Sequence, residues 1–352
     1  MFVDHRDLLR AVADTGASDL HCKPGSVPVL RIGGELVRHG DEVLSAEYVA
    51  LFAQSMLDDD QQDELIRTGS TGGAHSEPGV GRFRFAAFRQ RGSVALVVHA
   101  VPDEIRTIED LGLPDAAAGL AASTQGLVLV ASPVGNGATT TMTALVDQAN
   151  QTRRCHIVTV EDPIETLHRD GEGLVSQLEV GTDVRSIGDG IRTASKLDAD
   201  IVAVSDVVDR DSAVAVIDAV ARGRVVFAAI GGRSVVAAMN TFLELFTVDE
   251  RPIMRDALAR SIAGVLAQQL LPTIGGDQVA AVESMVRTAK IEHCIVDGAD
   301  ADLRVLMADG DYHGRQTMDQ ALVRLVRSGA IEIDVALEAA DAPEELRIEL
   351  LR

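Results

Sequence analysis

An α/β protein is predicted, with a small α+β domain followed by a larger domain built on a parallel sheet. From about residue 119 onward, short and almost wholly apolar runs at 126–131, 156–161, 200–205 and 224–230 alternate with helical patterns at 139–150, 185–197, 210–222 and 233–245. Strands that are apolar throughout, each followed by a helix, imply a largely parallel sheet covered on both faces. Before residue 102 the pattern is different, with helical stretches, a hairpin and two strands that suit a small α+β domain. The third observation is a glycine turn, Ser132-Pro133-Val134-Gly135-Asn136-Gly137-Ala138-Thr139-Thr140, set between the first apolar run and a helix start.

The elements follow in order. Leu8, Leu9 and Val12 have helical spacing within 4–15. Val29–Ile32 and Glu35–Val37 flank Gly33-Gly34 and predict a hairpin. Residues 46–67 read as helical, and the Gly/Ser-rich stretch 69–81 as a loop. Residues 82–88 alternate and 94–101 are almost all apolar, which predicts two strands. Residues 102–118, with Pro102, Pro114 and several acids, suit a linker. The expected division is therefore 1–101, a linker at 102–118, and 119–352. Residues 251–271 carry a long amphipathic helix pattern, and 316–329 and 333–351 read as terminal helices.

Composition narrows the function classes. The net charge is -22, so the surface as a whole repels nucleic acid and anionic lipid, and no nucleic-acid partner is expected. Lysine is confined to Lys23, Lys196 and Lys290. Cys22, Cys155 and Cys294 are scattered without metal-ligand spacing, which fits a reducing compartment. No apolar run reaches the length of a membrane span, and the first residues lack the order of a signal peptide. A cytoplasmic protein is expected. His21 and His156 read as structural.

The glycine turn has the layout of a phosphate loop. Glycines let backbone N–H groups approach a phosphate, and the helix that follows favours an anion. Such a loop needs a lysine after its second glycine, and Ala138 stands there.

Other blocks accompany the loop. Ala17-Ser18-Asp19-Leu20-His21 comes first, then Pro28-Val29-Leu30-Arg31-Ile32. Arg82-Phe83-Arg84 is followed by Phe88-Arg89-Gln90-Arg91-Gly92. Glu161-Asp162-Pro163-Ile164-Glu165 is followed by Glu179-Val180-Gly181 with Asp183 and Arg192, and finally by Met318-Asp319 through Gly329-Ala330-Ile331. Together and in this order they resemble the type II secretion and type IV pilus motor ATPases, most of all the retraction, or twitching-motility, branch. The resemblance spans nearly the whole chain. It implies a PAS-like N-terminal domain and a RecA-like P-loop NTPase domain, with ATP and magnesium bound between the two. Pro133, Gly135, Asn136, Gly137, Ala138, Thr139 and Thr140, with Arg82 and Arg84, would hold the nucleotide. Thr139 and Asp162 would hold the metal, and Glu161 and Asp206 would serve catalysis. The implied assembly is a homo-hexamer, or a ring mixed with an intact paralogue, working at the inner-membrane platform of a pilus or secretion machine.

The departures from the family fall on the chemistry. Ser132 replaces the first glycine, and Ala138 the lysine. Asp206 stands for the glutamate that orients water, one methylene shorter, and Gly231 for a histidine. Glu292 and Val296 stand where the retraction motif has arginines, and His99 where the basic strand pair ends in arginine. Phosphoryl transfer depends on positioning and charge stabilisation, and one lost group costs about 10²-fold in rate. Three readings stay open at this point. One is a structural or regulatory ring subunit with weak or absent turnover. Another is an atypical active ATPase whose cation comes from Arg233 or a neighbouring subunit. The third is a nucleotide-binding module without turnover.

Overall fold

The computed structural model describes residues 4–102, 104–308, 314–340 and 342–351. The chain divides into two compact units, Met1–Glu104 with Glu165–Leu167, and Ile105–Ile164 with His168–Arg352.

The first unit contains α1 (His5–Thr15), β1 (Asp19–Cys22), β2 (Val29–Ile32), β3 (Glu35–Arg38), α2 (Ala46–Met56), α3 (Asp59–Thr68), β4 (Ser70–Glu77), β5 (Gly81–Gln90) and β6 (Ser93–Ala100). The strands form one antiparallel sheet in the order β3-β2-β1-β6-β5-β4. Leu20, Leu30, Phe83, Phe85, Leu96 and Val98 join Leu8, Leu9, Val49 and Phe52 in its core. Side chains alternate across a strand, so the opposite face takes the polar partners. Arg84 pairs with His99, His99 with Asp19, and Asp19 with Arg31, in one row across four strands. Asp19 is the hub of this row. Arg31 Nε lies 3.1 Å from its carboxylate, Ser18 Oγ donates to it at 2.7 Å, and the His99 ring contacts it directly. Burial acts to raise the Asp19 pKa, but the hydrogen bonds from Ser18 and His99 and the charges of His99 and Arg31 prevail and hold it below its usual value.

One expectation is corrected here and one is refined. The stretch 69–81, expected as a loop, contains β4, paired along its whole length with β5 from Ser70↔Phe88 to Glu77↔Gly81. Small side chains give no hydrophobic alternation, but backbone pairing does not require it. The stretch 46–67, expected as helical, divides into two helices, because Leu57 turns to an extended backbone and Asp58 caps the second with a capping box to Gln61.

The second unit continues with α4 (Asp115–Ala121), β7 (Gly126–Ser132), α5 (Ala138–Thr152), β8 (His156–Glu161), β9 (Leu174–Glu179), α6 (Ile187–Lys196), β10 (Ile201–Val204), α7 (Arg210–Ala221), β11 (Val225–Gly231), α8 (Val235–Glu244), α9 (Arg251–Ser261), β12 (Ile262–Pro272), β13 (Gln278–Val286), α10 (Ala289–Asp297), α11 (Asp300–Ala308), α12 (Met318–Arg327), α13 (Ile333–Ala339) and α14 (Pro343–Leu350). Its sheet runs β13-β12-β7-β11-β10-β8-β9 and is parallel except for β13. Every residue of β7 is buried. Leu127, Leu129 and Ala131 enter one core with residues of α6 to α9, while Val128 and Val130 enter the other with residues of α4 and α5. That is why the central strand reads as one continuous apolar run.

The long helix expected over 251–271 is corrected as well. It stops at Ser261, and Ile262 turns extended to begin β12, which lies parallel to β7 and antiparallel to β13. Within the stretch expected as a linker, Ile108, Leu113 and Ala117 are buried in the core beneath α5. The terminal helices α12 to α14 form a separate cluster, in which Leu322, Ala336 and Leu346 pack with Leu271 of β12.

Candidate functional site

The strand order decides where the sequence-predicted residues meet. In a parallel sheet the C-terminal strand ends lie along one edge, where open α/β sheets bind ligands. The β7–α5 loop leaves that edge at Ser132. Gly231, at the end of β11, pairs with Ser132. Asp206 follows β10, and Glu161 and Asp162 sit at the end of β8. With strands about 4.8 Å apart, Asp206 begins about 10 Å from the loop strand and the end of β8 about 14 Å.

The loop has the shape a phosphate requires. Gly135 and Gly137 hold left-handed backbone angles, with φ of 78° and 81°, where a side chain is strained. No side chain caps α5 at Gly137, and its first turn carries no acid. The first intrahelical bond runs from the Thr141 N–H to the Gly137 carbonyl at 3.0 Å. The N–H groups of Ala138, Thr139 and Thr140 are thus the orphan donors of a helix start. Positive dipole and free donors together suit an anion.

Ala138 is half-buried and packs beside the core beneath α5. It places no charge in the loop. Thr139 is half-buried and Thr140 exposed. Asn136 spends its side chain inside the protein: Nδ2 donates to the Val134 carbonyl at 3.3 Å, and Oδ1 accepts from the Leu270 N–H at 2.9 Å. Ser132 Oγ donates to the Pro133 carbonyl at 2.9 Å.

The acids differ in setting. Glu161 is only 5% exposed. It accepts from Thr159 Oγ1 at 2.6 Å and from Gln177 Nε2 at 2.9 Å, both neutral donors. Asp162 is exposed, and its backbone N–H donates to Ser205 Oγ at 3.1 Å, tying the end of β8 to that of β10. Asp206 keeps open surface, yet desolvation by its packed surroundings raises its pKa, against a hydrogen bond from the Val207 N–H. Arg233 follows Gly231 and is exposed.

The remaining sequence-predicted residues lie on β5, on α10 and at the start of β8. On β5, Arg82 Nη1 donates to Ser76 Oγ at 3.1 Å, and Arg84 lies 3.9 Å from Glu165, with both side chains open to solvent. Glu292, at the family's arginine position, forms an ion pair with Arg287 at 2.6 Å. His156 bonds to the Leu197 carbonyl and to Ser176 Oγ, as a structural histidine would.

Sequence reasoning missed one residue of this site. Gln268 on β12 is 1% exposed and reaches both the loop and α5. Its Nε2 donates to the Asn136 carbonyl at 2.7 Å, and its Oε1 accepts from Thr141 Oγ1 at 2.6 Å. More than 120 residues separate it from both partners, and it was expected on a helix; no local signal marks it.

A parallel sheet whose first strand passes through a left-handed glycine loop into an uncapped helix, with acids at the neighbouring strand ends, defines a RecA-like P-loop NTPase domain. The profile of the family described as type II/IV secretion system protein matches residues 102–328. The chain belongs to that family, on its pilus-retraction branch.

Among its relatives, the type IV pilus retractation ATPase PilT of Pseudomonas aeruginosa is 32% identical, over 97% of this chain and 99% of its own. The twitching motility protein of Neisseria gonorrhoeae is 28% identical, over 91% of this chain and 86% of its own. A crystal structure of the pilus retraction motor PilT with bound ADP superposes with a TM-score of 0.89 at 31% identity, covering 99% of this chain and all of that one. The ATPase DotB of Legionella pneumophila shares the fold, at a TM-score of 0.80 and 18% identity over 94% of this chain and 93% of that one. Among the described residues, no helix is long and apolar enough to cross a membrane.

Proposed function

We propose that this chain is a pilus-motor ATPase-like subunit that binds a nucleotide at the 132–140 loop and turns it over weakly or not at all. Its place would be a homo-hexamer, or a ring shared with an intact paralogue, in a structural or regulatory role at the cytoplasmic face of a type IV pilus or type II secretion machine. The observation that carries this reading is the pairing of an intact phosphate-loop backbone with Ala138 at the cation position. The names of the relatives support the class of machine, and the ADP held by PilT supports the class of ligand.

The residues present fit a phosphate better than they fit a reaction. The N–H groups of Ala138, Thr139 and Thr140 would meet phosphate oxygens, and the Thr139 hydroxyl would meet a magnesium ion, with Asp162 within the same strand-end edge. Bound magnesium would neutralise phosphate charge. Asp206 would orient water, but from a shorter side chain than glutamate, and Gly231 offers no imidazole. A retreat of about 1 Å in a positioning group is costly to rate. Arg82 and Arg84 would serve a nucleotide or a neighbouring subunit.

A second reading is favoured by Arg233. It lies two residues beyond Gly231, the last residue of β11, which is the strand next to β7, and would supply a substitute cation for an active enzyme.

Purified protein separates the two. The expected result is thermal stabilisation by ADP or ATP without measurable hydrolysis, and a gain of turnover in Ala138→Lys combined with Asp206→Glu. Magnesium-dependent hydrolysis by the unaltered chain that is lost in Arg233→Ala would establish the second reading instead.

A further inference from the structure

Gln268 ties together three pieces of chain that come from distant parts of the sequence. Its amide is buried, so each polar atom needs a partner. The Nε2 group donates to the Asn136 carbonyl at 2.7 Å, and Oε1 accepts from Thr141 in α5 at 2.6 Å. Two residues along β12, the Leu270 N–H donates to Asn136 Oδ1 at 2.9 Å. Asn136 is therefore held to β12 through both its backbone carbonyl and its side chain.

The consequence follows from peptide geometry. A trans peptide is planar, and its C=O and N–H point in opposite directions. The Asn136 carbonyl and the Gly137 N–H share one peptide. Drawing that carbonyl onto Gln268 turns the Gly137 N–H away from β12. It also removes a carbonyl oxygen that would repel an anion. The left-handed φ of 81° favours glycine at 137, and a Cβ there would also crowd Gln268 Nε2 at 3.1 Å.

We propose that Gln268, with Asn136, is the positioning pair of this loop. It holds the loop in its phosphate-receiving shape before any ligand arrives, and without help from a lysine. The ligand part of this inference rests on the proposed nucleotide reading; the shape of the ligand-free loop does not.

The test uses the full chain. Amide exchange of the peptide 132–142 is measured without nucleotide, relative to unstructured rates, and ADP affinity is read by displacement of a fluorescent ADP analogue. In Gln268→Met, close in size and uncharged, loop exchange is expected to speed about tenfold and the ADP Kd to rise about tenfold, as loss of a hydrogen-bonded anchor implies. Asn136→Ala removes the bond from the Leu270 N–H while leaving the buried Gln268 in place, and is expected to act in the same direction. It keeps the test decisive if Gln268→Met folds poorly.

Gln268→Glu supplies the readout that a merely structural role would not move. Its carboxyl still accepts from Thr141 but donates to the Asn136 carbonyl only when protonated. Loop protection should therefore recover at pH 5.5 and fail at pH 8, while the Gln268→Met loop stays unprotected at both. Wild-type exchange in both Gln268→Met and Asn136→Ala, or a Gln268→Glu loop indifferent to pH, overturns the proposal. If the wild type binds no ADP, the nucleotide reading fails, and loop exchange alone decides on the positioning pair.

Discussion

Ala138 and Asp206 place opposite demands on the same strand edge. A nucleotide brings negative charge, and the residue that would answer it is a methyl group. The residue that would ionise nearby is itself partly desolvated. The folded pKa of Asp206 is raised above the ordinary 3.8, so it favours folding only below that ordinary value, and the contribution is lost as pH rises through the folded pKa. At neutral pH the ionised carboxylate is a small cost. Asp206→Asn should therefore raise Tm at pH 7.5 by about 1 °C, the open surface of the side chain keeping the effect small, and the gain should shrink as pH is lowered toward 4. Melting curves across that range test it. A fall in Tm on Asp206→Asn at pH 7.5 would mean that the carboxylate has a cationic partner, and the case for a site poor in cations would weaken.

Among the elements, close packing of α6 on the sheet depends on a missing side chain. A Cβ at Gly190 would stand 2.3 Å from Val160 Cγ1 and 2.9 Å from Cγ2. Val160 is fully buried in β8, next to Glu161. Gly190→Ala should therefore cost about 1–3 kcal/mol by overpacking, despite the better helix propensity of alanine. Urea unfolding of Gly190→Ala, Val160→Ala and the double variant checks this. The double variant should be more stable than the two single costs predict, since the new methyl takes the space the valine leaves; simple additivity would show that α6 accommodates the methyl by moving. The same packing explains what the sequence could show. The strands β7, β8, β10 and β11 were legible because burial on both faces makes each an apolar run. β4 was not, because Gly72, Gly73 and Ala74 pair through backbone alone. β12 was not, because Ile262–Leu271 continues the apolar content of α9, and a short apolar run does not declare its period. At the site the glycine loop was legible, since left-handed turns demand glycine locally. Gln268 was not, since its partners are brought to it only by strand order.

Over the whole molecule the charge is lopsided. Asp and Glu number 54 against 32 Lys and Arg, which leaves the excess of 22 negative charges. Two effects of salt compete. Exposed ion pairs such as Arg210–Glu250 at 2.6 Å, Arg192–Asp211 at 2.8 Å and Arg222–Asp218 at 2.8 Å weaken as salt is added, but pairs this open to solvent contribute little to stability. Repulsion among the surplus acids acts over longer distances, and screening removes long-range terms first. The Debye length falls from about 30 Å at 0.01 M to about 10 Å at 0.1 M, which spans separations across the protein surface while still exceeding those within an ion pair. Relief of repulsion should therefore win. Tm is expected to rise by several degrees between 0.01 and 0.3 M salt and then level off, equally in NaCl and KCl, because screening does not distinguish the cations. A Tm that falls over this range would show that the exposed ion pairs outweigh the net charge. A rise with one cation alone would point to a bound ion rather than to screening.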